Sequence, residues 1–353
     1  MPNSIITGTG SYIPVQQVAN EHFLNHAFYG ADGKKLVRPN SEIVAKLQEI
    51  TCIQERRYVT DDLNTSDIAF LSAEKALEGV DRETLDYIIV GHNFGDVSPD
   101  NPQSDLVPSI AARVKHKLRI KNPYTVAFDV PFGCPGWLQA MIMADYYIKS
   151  GDAQKILVIG AETLSRVSDP HDMDSMIYSD GAGAALLEAT DRKAGILSHA
   201  TRSDTYHEAF LLRLGKSYHP NFNRNRLFLK MYGHELYKYA LMHVPEVVKH
   251  CLERGGFTLA DVGKVFIHQA NQKMDEAILK RLFKLYGLKD IPEDIMPMTI
   301  SWLGNSSVAT LPTLLDLVLR GKVENQCLQS GDLVVFSSVG AGMNINAMAY
   351  RMP

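Results

Sequence analysis

Cys134 stands in "VPFGCPGWLQAM" (Val130–Met141), between a glycine and a proline–glycine pair. Structural cysteines usually hide among apolar neighbours, whereas this one is flanked by residues that set the backbone. Pro135 suits the first position of a helix, where its missing N–H would have no partner and its φ is preset. That puts Cys134 at the N-cap, where the positive end of the helix dipole lowers a thiol pKa and raises the thiolate fraction. Gly133 and Gly136 let other atoms approach the backbone, and the turn offers N–H groups to an oxyanion. The chemistry implied is attack by sulfur on a carbonyl. Iodoacetamide is expected to label Cys134 ahead of Cys52, Cys251 and Cys327, which have the context of ordinary cysteines.

A thiolate nucleophile needs partners. His268, in "VFIHQANQKM", ends an apolar strand and would be held at the sheet's C-terminal edge, where sites of α/β proteins usually lie. His92 ends a similar strand and is either a pocket or a packing residue. His171, His207, His219 and His250 read as solvated. Asn305, in "WLGNSSVATLPTLLD", follows a glycine and precedes small residues that open a helix; taken alone it reads as a turn or N-cap asparagine. No HExxH or other ligand spacing is present, so no metal is expected.

These residues need a scaffold. The chain has 353 residues, 45% hydrophobic and 22% charged, enough for a large core in one domain or two joined ones. Its net charge of −4 gives no global basic field for nucleic acid. Four cysteines without a CxxC pair exclude a disulfide scaffold. The start "MPNSIITGTGSYIP" has no signal-peptide pattern, and no run approaches the ~18–20 apolar residues of a membrane span. A reduced, cytoplasmic protein without membrane contact is expected.

Short apolar runs at 85–93, 124–132, 155–163, 181–189, 264–270 and 332–340 read as buried strands. Helical patterns lie between them. "SDIAFLSAEKALEGV" carries a serine cap, and "GWLQAMIMADYYIKSG" is apolar nearly all round and should be buried. The alternation predicts α/β layers with sheets covered on both faces. "KALEGVDRETLDYIIVGHN" and "HCLERGGFTLADVGKVFIHQ" share an order of helix end, glycine, polar turn, strand and histidine, which suggests two similar halves meeting near residue 190. Residues 28–42 read as a surface loop.

Taken together, the motifs resemble the thiolase superfamily, and within it β-ketoacyl-acyl-carrier-protein synthase III. The resemblance spans nearly the whole chain: "GTGSYIP", "TCIQERR" (Thr51–Arg57), "FDVPFGCPGWLQAM", "SDGAGAALLE" (Ser179–Glu188), "HQANQKM" (His268–Met274), "LGNSSVATLP" (Leu303–Pro312) and "VGAGMNINAMAY" (Val339–Tyr350). It implies a thiolase-like α/β fold of two duplicated halves, 1–190 with the cysteine and 191–353 with the histidine and asparagine, in five αβαβα layers. It implies that Cys134 is acylated by a thioester primer. His268 and Asn305 would hydrogen-bond the thioester carbonyl of malonyl-ACP, so that two neutral donors stabilise the enolate formed on decarboxylation. The enolate then attacks the acyl-cysteine to give 3-oxoacyl-ACP, as in the initiation of fatty-acid biosynthesis. The backbone N–H groups of Cys134 and Ala341 would hold the acyl carbonyl; Ala341 stands where glycine is common. No cofactor is implied.

The chain departs from the family pattern at the primer entrance. Lys46, Ile50 and Met173 occupy positions where an aromatic and guanidinium groups sandwich the adenine of CoA, and Cys52 replaces a glycine. Lys238, Lys273, Lys280 and Arg281 remain cationic where the family docks acyl carrier protein. The implied partners are malonyl-ACP, an acyl-CoA or acyl-ACP primer, and a second copy of the chain, with Asp100–Arg113 resembling the loop that reaches the partner's pocket. Papain-like proteases also run Cys, His, Asn, but without the motif around Asn305. A non-catalytic partner subunit would tend to lose the nucleophile. The altered entrance keeps a second expectation: a related acyltransferase or ketosynthase of specialised metabolism with a primer other than acetyl-CoA.

Overall fold

In the computed structural model, which describes residues 2–223 and 225–353, the apolar runs assemble into two sheets. In chain order the first part holds β1 (Asn3–Tyr12), β2 (Gln16–Ala19), α1 (Asn40–Thr51), β3 (Glu55–Tyr58), α2 (Thr65–Ala76), β4 (Tyr87–Gly91), α3 (Ile110–Lys117), β5 (Val126–Val130), α4 (Gly136–Ser150), β6 (Lys155–Thr163) and β7 (Asp180–Thr190). There follow β8 (Gly195–Ser203), β9 (Leu212–Gly215), β10 (Phe228–Met231), α5 (Gly233–Arg254), β11 (Val262–Ile267), α6 (Gln272–Leu285), α7 (Ile300–Leu303), α8 (Thr310–Leu319), β12 (Leu333–Gly340) and β13 (Asn344–Arg351).

The five-stranded sheet runs β1-β7-β6-β4-β5 and the four-stranded sheet β8-β13-β12-β11. Along β1-β7-β6-β4 the pairings are antiparallel, antiparallel, parallel. Along β8-β13-β12-β11 they repeat in the same order. Among the described residues of these two sheets, only β5 lacks a counterpart. The two segments that look alike in sequence occupy equivalent places, each running from a helix through a 3₁₀ turn into a strand, β4 or β11, that ends just before His92 or His268.

α4 and α8 lie between the sheets. Trp137, Leu138 and Met141 of α4 and Leu311, Leu314 and Leu315 of α8 share one core with Val158 of β6 and Phe336 of β12. α2 and α3 cover the outer face of the first sheet, where Ile68, Ala73 and Val114 meet Ile88, Leu157 and Ala184. α5 and α6 cover the outer face of the second, with Val248, Leu252 and Ile278 against Val265 and Val335. The result is the five-layered αβαβα arrangement of the thiolase fold. It also explains the uniformly apolar α4, since a central helix has a sheet on both sides.

Local details differ from the sequence reading. α2 is capped by Asn64, in a reciprocal capping box with Asp67, and not by serine. Ser66 instead gives its N–H and its hydroxyl to Asp96 at 2.7 Å each. The 28–42 segment is not a free loop throughout: Phe28 is buried, and Tyr29 packs on His171 and His219 with ring centroids 5.7 and 4.6 Å away. Those two histidines are therefore half-buried packing residues. Among the described residues no helix is long and apolar enough to cross a membrane.

Candidate active site

β5 ends at Val130, and the chain turns through Gly133, Cys134 and Pro135 into α4. The helix begins one residue later than the sequence suggests, with Pro135 as N-cap and Cys134 just before it. Gly133 has φ 66°, a left-handed conformation in which a side chain would be strained. A Cβ there would lie 2.6 Å from the Ala341 nitrogen, and one on Gly340 would lie 2.5 Å from the Cys134 nitrogen. The two glycines thus let the loops after β5 and β12 touch. This brings the amides of Cys134 and Ala341 side by side, and neither has a backbone carbonyl partner among the described residues.

His268 follows β11 directly and its backbone N–H continues the pairing with β12, donating to Ser337 O at 2.9 Å. Its ring is buried, and Nδ1 has no partner among the described residues. An orphaned buried N–H costs more than an orphaned lone pair, so the proton belongs on Nε2. Burial pulls the pKa of the ring down to about 4; it is a neutral donor. The rest of the HQAN motif braces its surroundings, and Ala270 and Asn271 also line the cavity beside His268. Gln269 accepts from Thr299 N–H at 2.9 Å and donates to Pro297 O at 2.9 Å, tying this loop to the segment that enters α7, the short helix before Asn305. Asn271 caps α6 through Met274 N–H at 3.1 Å.

Asn305 is clamped by its backbone: its N–H donates to Ile177 O at 3.0 Å, and its carbonyl accepts from Ser179 N–H at 2.8 Å. Its Oδ1 accepts from Ser307 N–H at 2.8 Å, which leaves the amide NH₂ as a free donor. The 176–179 segment is held in turn by Arg56, whose guanidinium is buried and donates to Met176 O, Val18 O and Asn20 Oδ1. The first arginine of "TCIQERR" is therefore a brace behind the site.

Cys134, His268, Asn305 and Ala341 line one cavity of about 680 Å³. Its other walls are largely apolar, including Leu164, Ile177, Leu229 and Met231. The β9–β10 ribbon roofs it: Leu229 and Met231 face the cavity, while Lys230 between them is buried on the opposite side, 2.6 Å from Asp169 and 2.9 Å from Asp172. Ile50 and Met173 also line the cavity. Lys46 pairs with Glu49 at 2.9 Å. Neither Phe28 nor Tyr29 reaches the cavity to replace an aromatic group at the entrance.

The helix-dipole argument does not carry Cys134 to a low pKa. Burial pushes the thiol up to about 11, a hydrogen bond from Ser307 lowers it, and the Glu162 carboxylate raises it. At rest the Cys134 sulfur is therefore a thiol. The exposed residue Cys327, and not Cys134, is then the first site expected for alkylation at neutral pH. Three polar residues around the sulfur were not anticipated: Ser307, Asn93 and Glu162. The double serine after Asn305 was their only sequence signal. His92 is a packing residue, bonded to Asp129 at 2.9 Å and to Gly95 N–H at 3.1 Å.

A cysteine at a strand-to-helix turn between two duplicated halves, facing a neutral histidine and an asparagine, defines a thiolase-fold condensing enzyme. The family pattern described as 3-oxoacyl-[acyl-carrier-protein (ACP)] synthase III matches residues 128–205, and its C-terminal counterpart matches residues 252–352. The β-ketoacyl-[acyl-carrier-protein] synthase III of Xanthomonas campestris pv. campestris is 33% identical over 99% of this chain and 98% of its own. That of Rhodospirillum centenum is 32% identical with the same coverage. Solved synthase III structures from Aquifex aeolicus VF5 and Thermus thermophilus superpose with TM-scores of 0.79 and 0.80, each at 28% identity over 99% of both chains. The chain belongs to the 3-oxoacyl-[acyl-carrier-protein] synthase III family.

Proposed function

We propose that this enzyme condenses an acyl primer, carried on Cys134, with malonyl-ACP to give 3-oxoacyl-ACP. The observation that carries this reading is the single cavity in which Cys134, a neutral His268 and the free amide of Asn305 converge. Sulfur takes the acyl group from its thioester donor, and the N–H groups of Cys134 and Ala341 hold the acyl oxygen. His268 Nε2–H and Asn305 Nδ2–H then donate to the malonyl thioester oxygen, where charge appears only as CO₂ leaves. A neutral imidazole suits this role, because it binds the enolate without prior charge in an apolar cavity. The same reading divides the chain into a cysteine-bearing half, 1–190, and a half with histidine and asparagine, 191–353.

Acyl carrier protein docks, in this reading, on the exposed cations beside the entrance. Lys238 neighbours Leu236 and Tyr237, and Lys273 neighbours Met274, and these apolar neighbours line the cavity. Lys280 and Arg281 follow two turns further along α6, about 10 Å away at 1.5 Å per residue, exposed and without ion-pair partners among the described residues. Lys46, Ile50 and Met173 put no planar group at the three positions that stack on adenine in the family, a contact worth roughly 1–3 kcal/mol, so acyl-ACP or an unusual thioester is the better primer. Acyl-CoA and acyl-ACP panels, read as a mass shift on Cys134, test both points. The expected outcome is acylation of wild type, none of Cys134→Ala, and a preference for acyl-ACP that falls on charge reversal at Lys280 and Arg281. A clear preference for acetyl-CoA would overturn the choice of donor.

A further inference from the structure

Ser307 makes the contact that bears most directly on the reacting sulfur. Its Oγ lies 3.5 Å from Cys134 Sγ. Its backbone holds φ 55°, in the left-handed region where serine is uncommon. Behind it stands Asn93, whose Nδ2 is 3.3 Å from Ser307 Oγ and 2.6 Å from Glu162 Oε2. The Asn93 backbone N–H reaches the other carboxylate oxygen, Glu162 Oε1, at 3.3 Å. These contacts join residues 69 to 214 positions apart in the chain, on the ends of β4 and β6 and in the turn before α8.

The donors and acceptors can be assigned. An amide nitrogen only donates. One proton of the Asn93 NH₂ goes to Glu162 and the other to Ser307 Oγ, so the hydroxyl oxygen accepts there. A hydroxyl has one proton, and with its oxygen engaged by Asn93 that proton is directed at the sulfur. Both oxygens of Glu162 face N–H donors, which fixes the amide against flipping.

We propose that Ser307 is a further catalytic residue, whose hydroxyl, oriented by Asn93 and Glu162 as positioning residues, donates to Cys134 Sγ whenever that sulfur carries negative charge. This rests on the reading of Cys134 as the nucleophile. In acyl transfer the Sγ–C bond forms, the donor's C–S bond breaks, and the cysteine's proton ends on the departing thiol. In condensation the new C–C bond forms, the Sγ–C bond breaks, and sulfur leaves as thiolate. A thioester sulfur is a poor acceptor and a thiolate a good one, so the bond strengthens as sulfur becomes charged in each step. Among the described residues no cation adds to this effect on the sulfur. Glu162 and Tyr178 are the titratable groups that act on the sulfur, while His268, Asp174, Arg213 and His234 line the same cavity.

The test is the alkylation rate of Cys134 by iodoacetamide, followed by peptide mass in a Cys327→Ala background between about pH 6.5 and 9.5. Ser307→Ala is expected to move the rising limb up by about one pH unit, a roughly tenfold lower rate at each pH. Asn93→Ala, which leaves the hydroxyl free to rotate, should move it in the same direction by less. It decides the matter if Ser307→Ala fails to fold. Coincident profiles, or a shift to lower pH, would overturn the proposal. A merely structural role for Ser307 would leave Ser307→Gly, which suits the left-handed backbone at φ 55°, near the wild-type rate, whereas loss of the hydroxyl should slow it as Ser307→Ala does. The parent reading fails separately, if Cys134→Ala is still acylated by the thioester donor.

Discussion

His268 and Cys134 are moved in opposite senses by the same cause. Burial disfavours charge, so it keeps the imidazole neutral and the thiol protonated. The enzyme therefore meets its substrate with no net charge on either group, and stabilisation is reserved for the charge that the reaction creates. His268→Ala and Asn305→Ala should each lower condensation by about 10²–10³ while leaving acylation of Cys134 largely intact; condensation at the wild-type rate would remove these residues from the mechanism. The pH dependence follows from the histidine. Its pKa falls from 6.5 to about 4, so malonyl decarboxylation should stay flat as the pH drops through the usual histidine range and decline only near 4. Between those values the unfolded chain binds the proton and the folded chain does not, so stability is lost as the pH falls. The full loss is on the order of 3 kcal/mol. Urea midpoints of wild type and His268→Gln at neutral and mildly acid pH would show it, with the variant losing less. A decarboxylation profile that breaks near 6.5 would show that the ring is not held neutral.

Cys52 shows how an element records a substitution. α1 ends there in the left-handed conformation, φ 62° and ψ 10°, the position at which helices usually place glycine. A side chain in that conformation costs about 1 kcal/mol, so Cys52→Gly should raise stability by about that amount in urea unfolding; a lower midpoint would contradict the account. In the sequence this position stood out only through the family motif, where a glycine is usual; the helix end itself was not read. The strands β4, β6, β7 and β12 could be read directly: each is an apolar run with both faces buried. So could α4, whose all-round apolarity reflects a place between two sheets. Ser307, Asn93 and Glu162 could not be singled out, because their contacts depend on how β4, β6 and the turn before α8 meet. The elevated thiol pKa was missed because a helix dipole is visible in sequence whereas the depth of a cavity is not. The β9–β10 ribbon was missed too: its strands are four residues each, and the buried Lys230 reads as an exposed cation until Asp169 and Asp172 are placed around it.

The whole molecule leaves one side unfinished. β5 is one of the two outer strands of the first sheet and, among the described residues, the one strand of that sheet without an equivalent in the second half. Its neighbourhood is apolar and open: Tyr124 is 85% exposed, Val126 46%, Leu106 52% and Val107 85%. The loop carrying Leu106 and Val107 is nonetheless built. Arg113 holds Asp96 and Asp105 at 2.7 Å each, and Asp96 and Asp105 pair through their backbones. A braced loop with an apolar tip beside an open strand edge is an arrangement that an isolated chain would be expected to cover or charge. A second copy, paired edge to edge, would extend the sheet and bury these side chains. The expected species at micromolar concentration is a dimer by sedimentation. Tyr124→Asp combined with Val107→Asp should shift it to monomer and lower condensation, because the 100–113 loop would no longer reach the neighbouring cavity. A wild-type chain that sediments as a monomer, or a monomeric double variant with full activity, would show that the edge is covered in some other way and that each cavity is complete within one chain.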